Sequence, residues 1–322
     1  MSKILVYMPV FNEQKHLAAA IDSIINQTYS DFKLLISNNW STDNSDLIIE
    51  GYQDDKRITK IVPSRHLSSM DHVEWIDEYI KNNFTDFEYL IFIGGHDIWS
   101  PDYLKTLISG MNENPNAAIV YTDSYEIDDE NIIINKHNGY IITTEIIKPL
   151  RPLHVLVGLT HNMVFGGLWR QSIRSNITAR KCMGADHLLI AEASLLGDVV
   201  YKYGAHIGLR IAGGAGDWGV YIKKHLGLNN IESRHGILDF KNQLNWVISI
   251  QEKAVRGNSF YEQPIIYDSL LCALINGYIN RYYNHLIAFG SIDEFINTPE
   301  IKISNNLLSE CARKYKAFSN CN

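Results

Sequence analysis

Four polar stretches follow or border expected strands, in a fixed order along the chain. They are Met8-Pro9-Val10-Phe11-Asn12-Glu13, Asn26-Gln27-Thr28-Tyr29, Ser37-Asn38-Asn39-Trp40-Ser41-Thr42-Asp43, and Gly94-Gly95-His96-Asp97 ahead of Pro101. Together they offer amides, carboxylates, an imidazole and a glycine pair at strand C-terminal ends, where open α/β sheets bind nucleotides and other ligands. Asn12 and Glu13 also suit the cap of the helix that follows, whatever else they touch. Further on, Gly184-Ala185-Asp186-His187-Leu188-Leu189-Ile190 opens an apolar helix with an acid in its first turn. Capping explains an acid there, and the helix dipole would steady its carboxylate and lower its pKa. The segment Arg210–Gly219 is rich in glycine and reads either as a loop closing over a site or as a flexible surface loop. It lacks the strand-to-helix G-x-G-x-x-G turn of a dinucleotide site.

The elements that position these residues follow from apolar periodicity. Ile4–Met8, Phe32–Ile36, Ile58–Val62 and Tyr89–Ile93 read as strands. They alternate with helical faces carrying Leu17, Ile21, Ile24 and Ile25, then Leu47, Ile48 and Tyr52, then Val73–Ile80. Such alternation gives a parallel sheet covered on both faces, because parallel strands need crossover connections. The fold expected is doubly wound α/β. A helix over Tyr103–Met111, strands at Ala117–Tyr121 and Ile132–Ile134, and a turn bracketed by Pro149 and Pro152 come next. An apolar helix over Leu188–Leu196 then ends at Gly197, read as a C′ glycine, before a strand at Val199–Tyr203.

From about Asn229 the pattern changes to long helices: Leu238–Val255, Ile265–Leu286 and Leu307–Tyr315. The aromatic face of the middle one suits an appendage packed on the core, or an interfacial surface. The division expected is a domain over 1–228 and a helical extension over 229–322, with the boundary in the loop Leu226–Ser233.

Length and composition suit a globular core: 322 residues, 46% hydrophobic, with a net charge of −7. Lys and Arg form no long run, which argues against a nucleic-acid groove. The N-terminal apolar run is too short for a signal-peptide core, and no stretch approaches about 18 uninterrupted apolar residues. Cys182, Cys272, Cys311 and Cys321 are scattered without a C-x-x-C pair. That pattern points to thiols in a reducing cytoplasm rather than disulfides or a zinc site.

The four stretches in this order resemble the donor half of family 2 glycosyltransferases with the GT-A fold, over roughly the first hundred residues. The resemblance implies inverting transfer of a sugar from a nucleotide-diphosphate donor to a glycan or lipid-linked acceptor, in bacterial cell-surface polysaccharide synthesis. Such an enzyme works in the cytoplasm, in part at the inner face of the membrane. By this likeness Pro9, Phe11, Asn12 and Glu13 lie against the nucleoside, Asn38 meets the base, and Asp43 braces its loop as much as it touches ligand. Gly95, His96 and Asp97 stand at the diphosphate, with Arg65 and Arg210 as further donor-binding candidates from this chain's own cations, and Asp186 is by matching the base that takes the acceptor's hydroxyl proton.

Two departures stand inside the pattern. The family places Asp where this chain has Asn38, so an uncharged amide would meet the base, and its identity is left open. The family's Asp-x-Asp falls on Gly94 and His96, with Asp97 retained. His96 and Asp97 are then the expected ligands of a divalent metal, Mn²⁺ ahead of Mg²⁺ because imidazole suits transition metals better. The plain alternative is that Gly94-Gly95 makes a tight turn where His96 only hydrogen-bonds. Arg65 and Arg210 are the cations that would face the phosphates without a metal. Trp169, Trp218 and His161 suit either a sugar acceptor or ordinary packing. A nucleotide- or glycan-binding protein that lost turnover is the second function consistent with these departures.

Overall fold

The structure, a computed structural model, describes residues 3–159, 162–177, 184–210 and 240–287. Its centre is a nine-stranded mixed sheet. The strands are β1 (Ile4–Val10), β2 (Phe32–Asn38), β3 (Ile58–Ile61), β4 (Tyr89–Phe92), β5 (Ile98–Trp99), β6 (Ala117–Ile127), β7 (Ile133–Lys136), β8 (Leu168–Arg170) and β9 (Asp198–Arg210). Their order is β3-β2-β1-β4-β8-β6-β9-β5, with β7 paired to β6. The β3-β2-β1-β4 half is parallel, as the alternation predicts. Beyond β4 the short strand β8 runs antiparallel to both of its neighbours, and β6 and β9 then pair in parallel.

Strand β1 shows why the first half reads as continuous apolar runs. Ile4, Val6, Met8 and Val10 pack into one core with α1 (Leu17–Ile25) and α4 (Tyr103–Glu113). Leu5 and Tyr7 point the other way, onto Ile76 and Ile80 of α3 (Ser69–Asn83). The period-2 alternation thus buries both faces. In α2 (Ser45–Glu50) the observed face differs from the expected one: Ile49 is fully buried and Leu47 is 66% exposed.

The second core joins β6 residues Ala118, Ile119 and Tyr121 to α5 (Arg151–Gly158) and α7 (Ala185–Ser194). Val247, Ile250 and Ala254 of α8 (Phe240–Val255) enter the same core, as do Leu271, Leu274 and Tyr278 of α9 (Pro264–Ile287). The expected helix over Leu307–Tyr315 and the loop Leu226–Ser233 lie outside the described residues.

Three local expectations change. Pro149 sits in a 3-10 turn and Pro152 in the first turn of α5, so both start helical turns rather than bracket an open one. Gly197 is not a left-handed cap; a Cβ there would meet Asn116 O at 2.6 Å and Ala118 N at 2.9 Å, so close approach explains it. Strand β6 continues past Tyr121 through Thr122-Asp123-Ser124, whose polar side chains broke the apolar run yet are all buried.

The Asn26–Tyr29 stretch is a clamp. Gln27, 6% exposed, donates Nε2 to Ser23 O and Ser100 O and accepts the Leu104 amide at 2.9 Å. The Thr28 amide donates to Pro101 O at 3.0 Å, and its hydroxyl to Asp102. These bonds fix the end of α1 to the β5–α4 turn, and so set the position of Gly94–Asp97.

Below the β2 end, Ser37 Oγ lies 2.7 Å from Nε2 of His72, which is 2% exposed. Burial pushes the His72 ring down from 6.5 to about 4. Protons therefore bind the unfolded chain first, so the stability this group contributes is full above about pH 6.5. It is lost as pH falls from 6.5 toward 4, by up to about 3 kcal/mol. Thermal melts across that window should show a smaller loss in His72→Gln than in the native chain.

Candidate active site

The β1 end enters the site through Pro9 and Phe11. Pairing with β4 stops at Tyr7, so the missing N–H of Pro9 breaks no bond on that side. Asn12 takes a left-handed conformation, φ 57°, and its Oδ1 accepts the Thr42 amide at 2.7 Å. The Glu13 amide donates to Ser45 Oγ at 2.8 Å. Asp43 accepts the amides of Gln14 at 3.0 Å and Ser45 at 2.9 Å. Burial opposes ionisation of Asp43, but the hydrogen bonds from Ser45 and Gln14 outweigh it and hold the carboxyl below its usual range. Asp43 thus braces one loop against the other.

Asn38 is 4% exposed and engaged at both ends of its amide: Nδ2 donates to Asp46, and Oδ1 accepts the Ser41 amide at 3.0 Å. Asp46 in turn pairs with Lys60 at 2.6 Å. The hydrogen bond from Lys60, ahead of that from Asn38, holds the Asp46 carboxyl low against the opposing effect of burial. An Asp at position 38 would set two carboxylates against each other, and this physical reason favours Asn.

Next to Asn38, Asn39 grips Leu67 through both amide atoms, at 2.8 and 2.9 Å. That grip brings His66 to 4.6 Å from Phe11, ring centroid to centroid. Trp40, φ 60° and 52% exposed, donates Nε1 to Pro63 O. Phe11, His66 and Trp40 form an aromatic rim at the ends of β1 to β3. His66 and Trp40 did not stand out in the sequence, because long-range contacts bring them there. Arg65 stands exposed beside them, with no partner among the described residues.

Gly94–Asp97 is a tight turn closed by the Asp97 amide on Gly94 O at 3.2 Å. A Cβ on Gly95 would meet Glu13 Cγ at 3.2 Å, so glycine lets the β1 loop cross close by. There Glu13 Oε1 lies 3.0 Å from His96 Nδ1. Asp97 is 7% exposed, and its Oδ1 accepts the Arg210 amide at 3.0 Å. Burial raises the Asp97 carboxyl, offset only in part by His96 and by the backbone of Arg210 and Gly94.

Arg210 ends β9 and is itself 7% exposed. Its guanidinium donates to His96 O at 3.0 Å, to Asp128 O and to Asn131 Oδ1. Asp128 and Asn131 belong to the β6–β7 hairpin, whose Asp129 also reaches back to Lys15 and to His16 at 3.0 Å. Hydrogen bonds therefore join the ends of β1, β2, β4 and β9 into one rim, with Arg65 outside the network.

Asp186 lies in the first turn of α7, behind an N-cap taken by Gly184 at φ 73°. It does not cap the helix itself; His187 Nε2 lies 3.6 Å from its Oδ2. Helix α7 packs on β9, to which the turn after Ser194 joins it. No bond ties Asp186 to the donor residues among the described residues. Trp169 is 4% exposed, its Nε1 bonded to Phe165 O, and is packing. His161, Trp218 and the rest of the segment after Arg210 lie outside the described residues.

Structural neighbours identify the architecture. The chain is similar to Staphylococcus aureus TarS 1–349 in complex with UDP-GlcNAc, at TM-score 0.52 and 12% identity, covering 88% of this chain and 83% of that one. It is also similar to the mannosyltransferase PcManGT from Pyrobaculum calidifontis in complex with GDP-Man and Mn²⁺, at TM-score 0.50 and 10% identity, covering 97% and 86%. The fold is GT-A. The family model described as Glycosyl transferase family 2 matches residues 5–170, just over half of the 322, and the chain belongs to that family.

Among curated relatives, the Escherichia coli UDP-Glc:alpha-D-GlcNAc-diphosphoundecaprenol beta-1,3-glucosyltransferase WfgD is 26% identical over 133 residues, 41% of this chain and 49% of WfgD. Escherichia coli chondroitin synthase is 26% identical over 144 residues, 44% of this chain and 20% of that protein. The match spans about half the length of WfgD and a fifth of the synthase.

A methyl on Gly94 would lie 2.8 Å from Asp97 Oδ2 and 3.3 Å from His96 Nε2. Gly94→Ala is expected to displace both side chains and weaken nucleoside-diphosphate binding about tenfold, the loss of one charge-assisted contact. Calorimetric titration with UDP and GDP checks this, beside a melting temperature that should fall by only a few degrees.

Proposed function

We propose that the chain is an inverting glycosyltransferase. It moves a sugar from a nucleotide-diphosphate donor to a hydroxyl of a glycan or lipid-linked acceptor, in building a bacterial cell-surface polysaccharide. The observation that carries this reading is the bonded rim itself: Glu13 to His96 and Asp97 to Arg210, beside the aromatic edge of Phe11, His66 and Trp40. The rings take the base, and the loops after β1 and β2 take the ribose. The Gly94–Asp97 turn and Arg210 meet the diphosphate. WfgD, by its name, acts on a diphosphoundecaprenol acceptor, and a lipid-linked acceptor would place this chain at the inner membrane face. No helix among the described residues is long and apolar enough to cross a membrane.

In the reaction the acceptor oxygen bonds to the anomeric carbon as the bond from that carbon to the diphosphate breaks. The diphosphate leaves with the electron pair, and the hydroxyl proton passes to Asp186 on the opposite face. Arg210 contributes its charge beside the leaving group, with three of its five N–H donors spent on neutral oxygens.

A divalent ion fits the turn. Among the described residues no three His, Cys, Asp or Glu side chains gather as a ligand set, and those at the turn offer two donors. These are His96 and Asp97, whose Nε2 and Oδ2 converge over the space that Gly94 leaves open. When bound, the ion supplies positive charge to the departing diphosphate, and Mn²⁺ suits the imidazole better than Mg²⁺. We read the chain as a transferase domain through 228 with a helical extension over 229–322.

A panel of UDP-, GDP- and dTDP-sugars, assayed for released nucleotide with Mn²⁺, Mg²⁺ or a chelator, tests the reading. Turnover is expected with at least one donor, and Asp186→Asn should lower it by about 10²–10⁴-fold with donor affinity little changed. A chain that binds a nucleotide tightly but releases none under any condition is a binding protein on the same fold. A loss of less than about tenfold in Asp186→Asn moves the base elsewhere.

A further inference from the structure

Four residues before the β6 position that pairs with Arg210 stands another buried carboxylate, one with no part in the transfer proposed for the rim. Asp123 is 3% exposed. It receives the hydroxyls of Tyr140 at 2.8 Å and Tyr201 at 3.0 Å, and the ammonium of Lys136 at 3.2 Å. All three contacts fall on Oδ1. Its Oδ2 has no partner among the described residues, yet it is not sealed from solvent. A carboxylate oxygen held at an opening, with its twin fixed by three donors, is a preorganised acceptor for a ligand's O–H.

Aromatic rings gather around this carboxylate. Tyr140 and Tyr201 lie 4.4 Å apart between ring centroids, and Tyr140 remains 36% exposed. Tyr125 packs on His206 at 5.0 Å and carries Lys136 over its ring at 5.5 Å. Alternate β6 residues hold the segment that follows β7: His137 is bonded to Ser124 at 2.9 Å and to Glu126 at 2.9 Å. Tyr201 packs against the core built by α7, the helix that Asp186 opens, and β9 runs on from Tyr201 to Arg210.

We propose that Asp123, Tyr140, Tyr201 and Lys136 form a subsite for a sugar ring of the acceptor. The open carboxylate oxygen takes a hydrogen bond from a sugar hydroxyl, and the exposed face of Tyr140 covers the ring's C–H face. The carboxylate disfavours an acidic sugar, and Lys136 is already committed to Oδ1, so the ring is a neutral, hydroxyl-rich one. This inference rests on the transferase reading for its place in a reaction, but not for its binding chemistry.

The test adds methyl glycosides of glucose, galactose and N-acetylglucosamine to the whole chain with a donor that it turns over. At least one should stimulate nucleotide release. Tyr140→Ala should raise the KM for that glycoside about threefold to tenfold, with a rise in donor KM of less than about twofold. Equal rises in both constants, no rise in either, or no stimulation by any glycoside would overturn the subsite. If no donor is turned over, the transferase reading fails, and saturation-transfer NMR with the same glycosides decides the subsite alone. Sugar signals that appear with the native chain and vanish in both Tyr140→Ala and Asp123→Asn support it. Signals that persist in the variants, or never appear, overturn it.

Discussion

A buried guanidinium needs acceptors for its N–H groups, and the way Arg210 finds them organises this molecule. Its side chain donates to His96 O, Asp128 O and Asn131 Oδ1, while its amide donates to Asp97. Four bonds from one residue join the end of β9 to the β4–β5 turn and the β6–β7 hairpin. All three side-chain acceptors are neutral, and no carboxylate among the described residues lies within ion-pair distance of the guanidinium. Its charge is solvated by fixed dipoles at the end of β9, where the proposed diphosphate would meet it.

The same economy recurs around the rim. Asn38, Asp46 and Lys60 form a chain in which each charge has an opposite or neutral neighbour. Replacing a carboxylate by an amide at position 38 is what allows Asp46 to stand there. Gln27 shows the point with backbone groups: one side chain accepts the Leu104 amide and donates to Ser100 O, which also takes the Tyr103 amide. Leaving the Leu104 amide unpaired in a buried place would cost about 1–3 kcal/mol. Residues that look like ligand contacts in the sequence thus spend much of their bonding capacity on holding turns.

This explains what was legible in the sequence. The alternating apolar runs gave β1 to β4 and their helices, because both faces of those strands are covered and the pattern is locally complete. The antiparallel β8, the two-residue β5 and the polar half of β6 were not legible, since long-range pairing defines them. In the site, Glu13, His96 and Asp97 were readable as chemistry-bearing types at strand ends. The brace by Arg210, the aromatic pair of Phe11 with His66, and the use of Asn38 were not, because their partners lie far away in sequence. Gly184 rather than Asp186 takes the cap, a distinction of one backbone dihedral that residue type alone does not carry.

Asp97 and Asp123 bring these threads together. Both are buried carboxylates on strand-end turns or strands, and both are anchored through Oδ1: one by a backbone amide, the other by two phenols and an ammonium. In each the second oxygen is left to one side, over Gly94 in the first case and toward solvent in the second. Removing a carboxylate from water is costly unless its oxygens are paired, so a fold that buries one and leaves half its valence open keeps that cost only if something else repays it. At Asp97 a cation bound at the turn would do so, and at Asp123 a hydroxyl-bearing ligand would. Between them run β6 and β9, the longest strands of the sheet, which hold the two half-satisfied groups at a fixed separation.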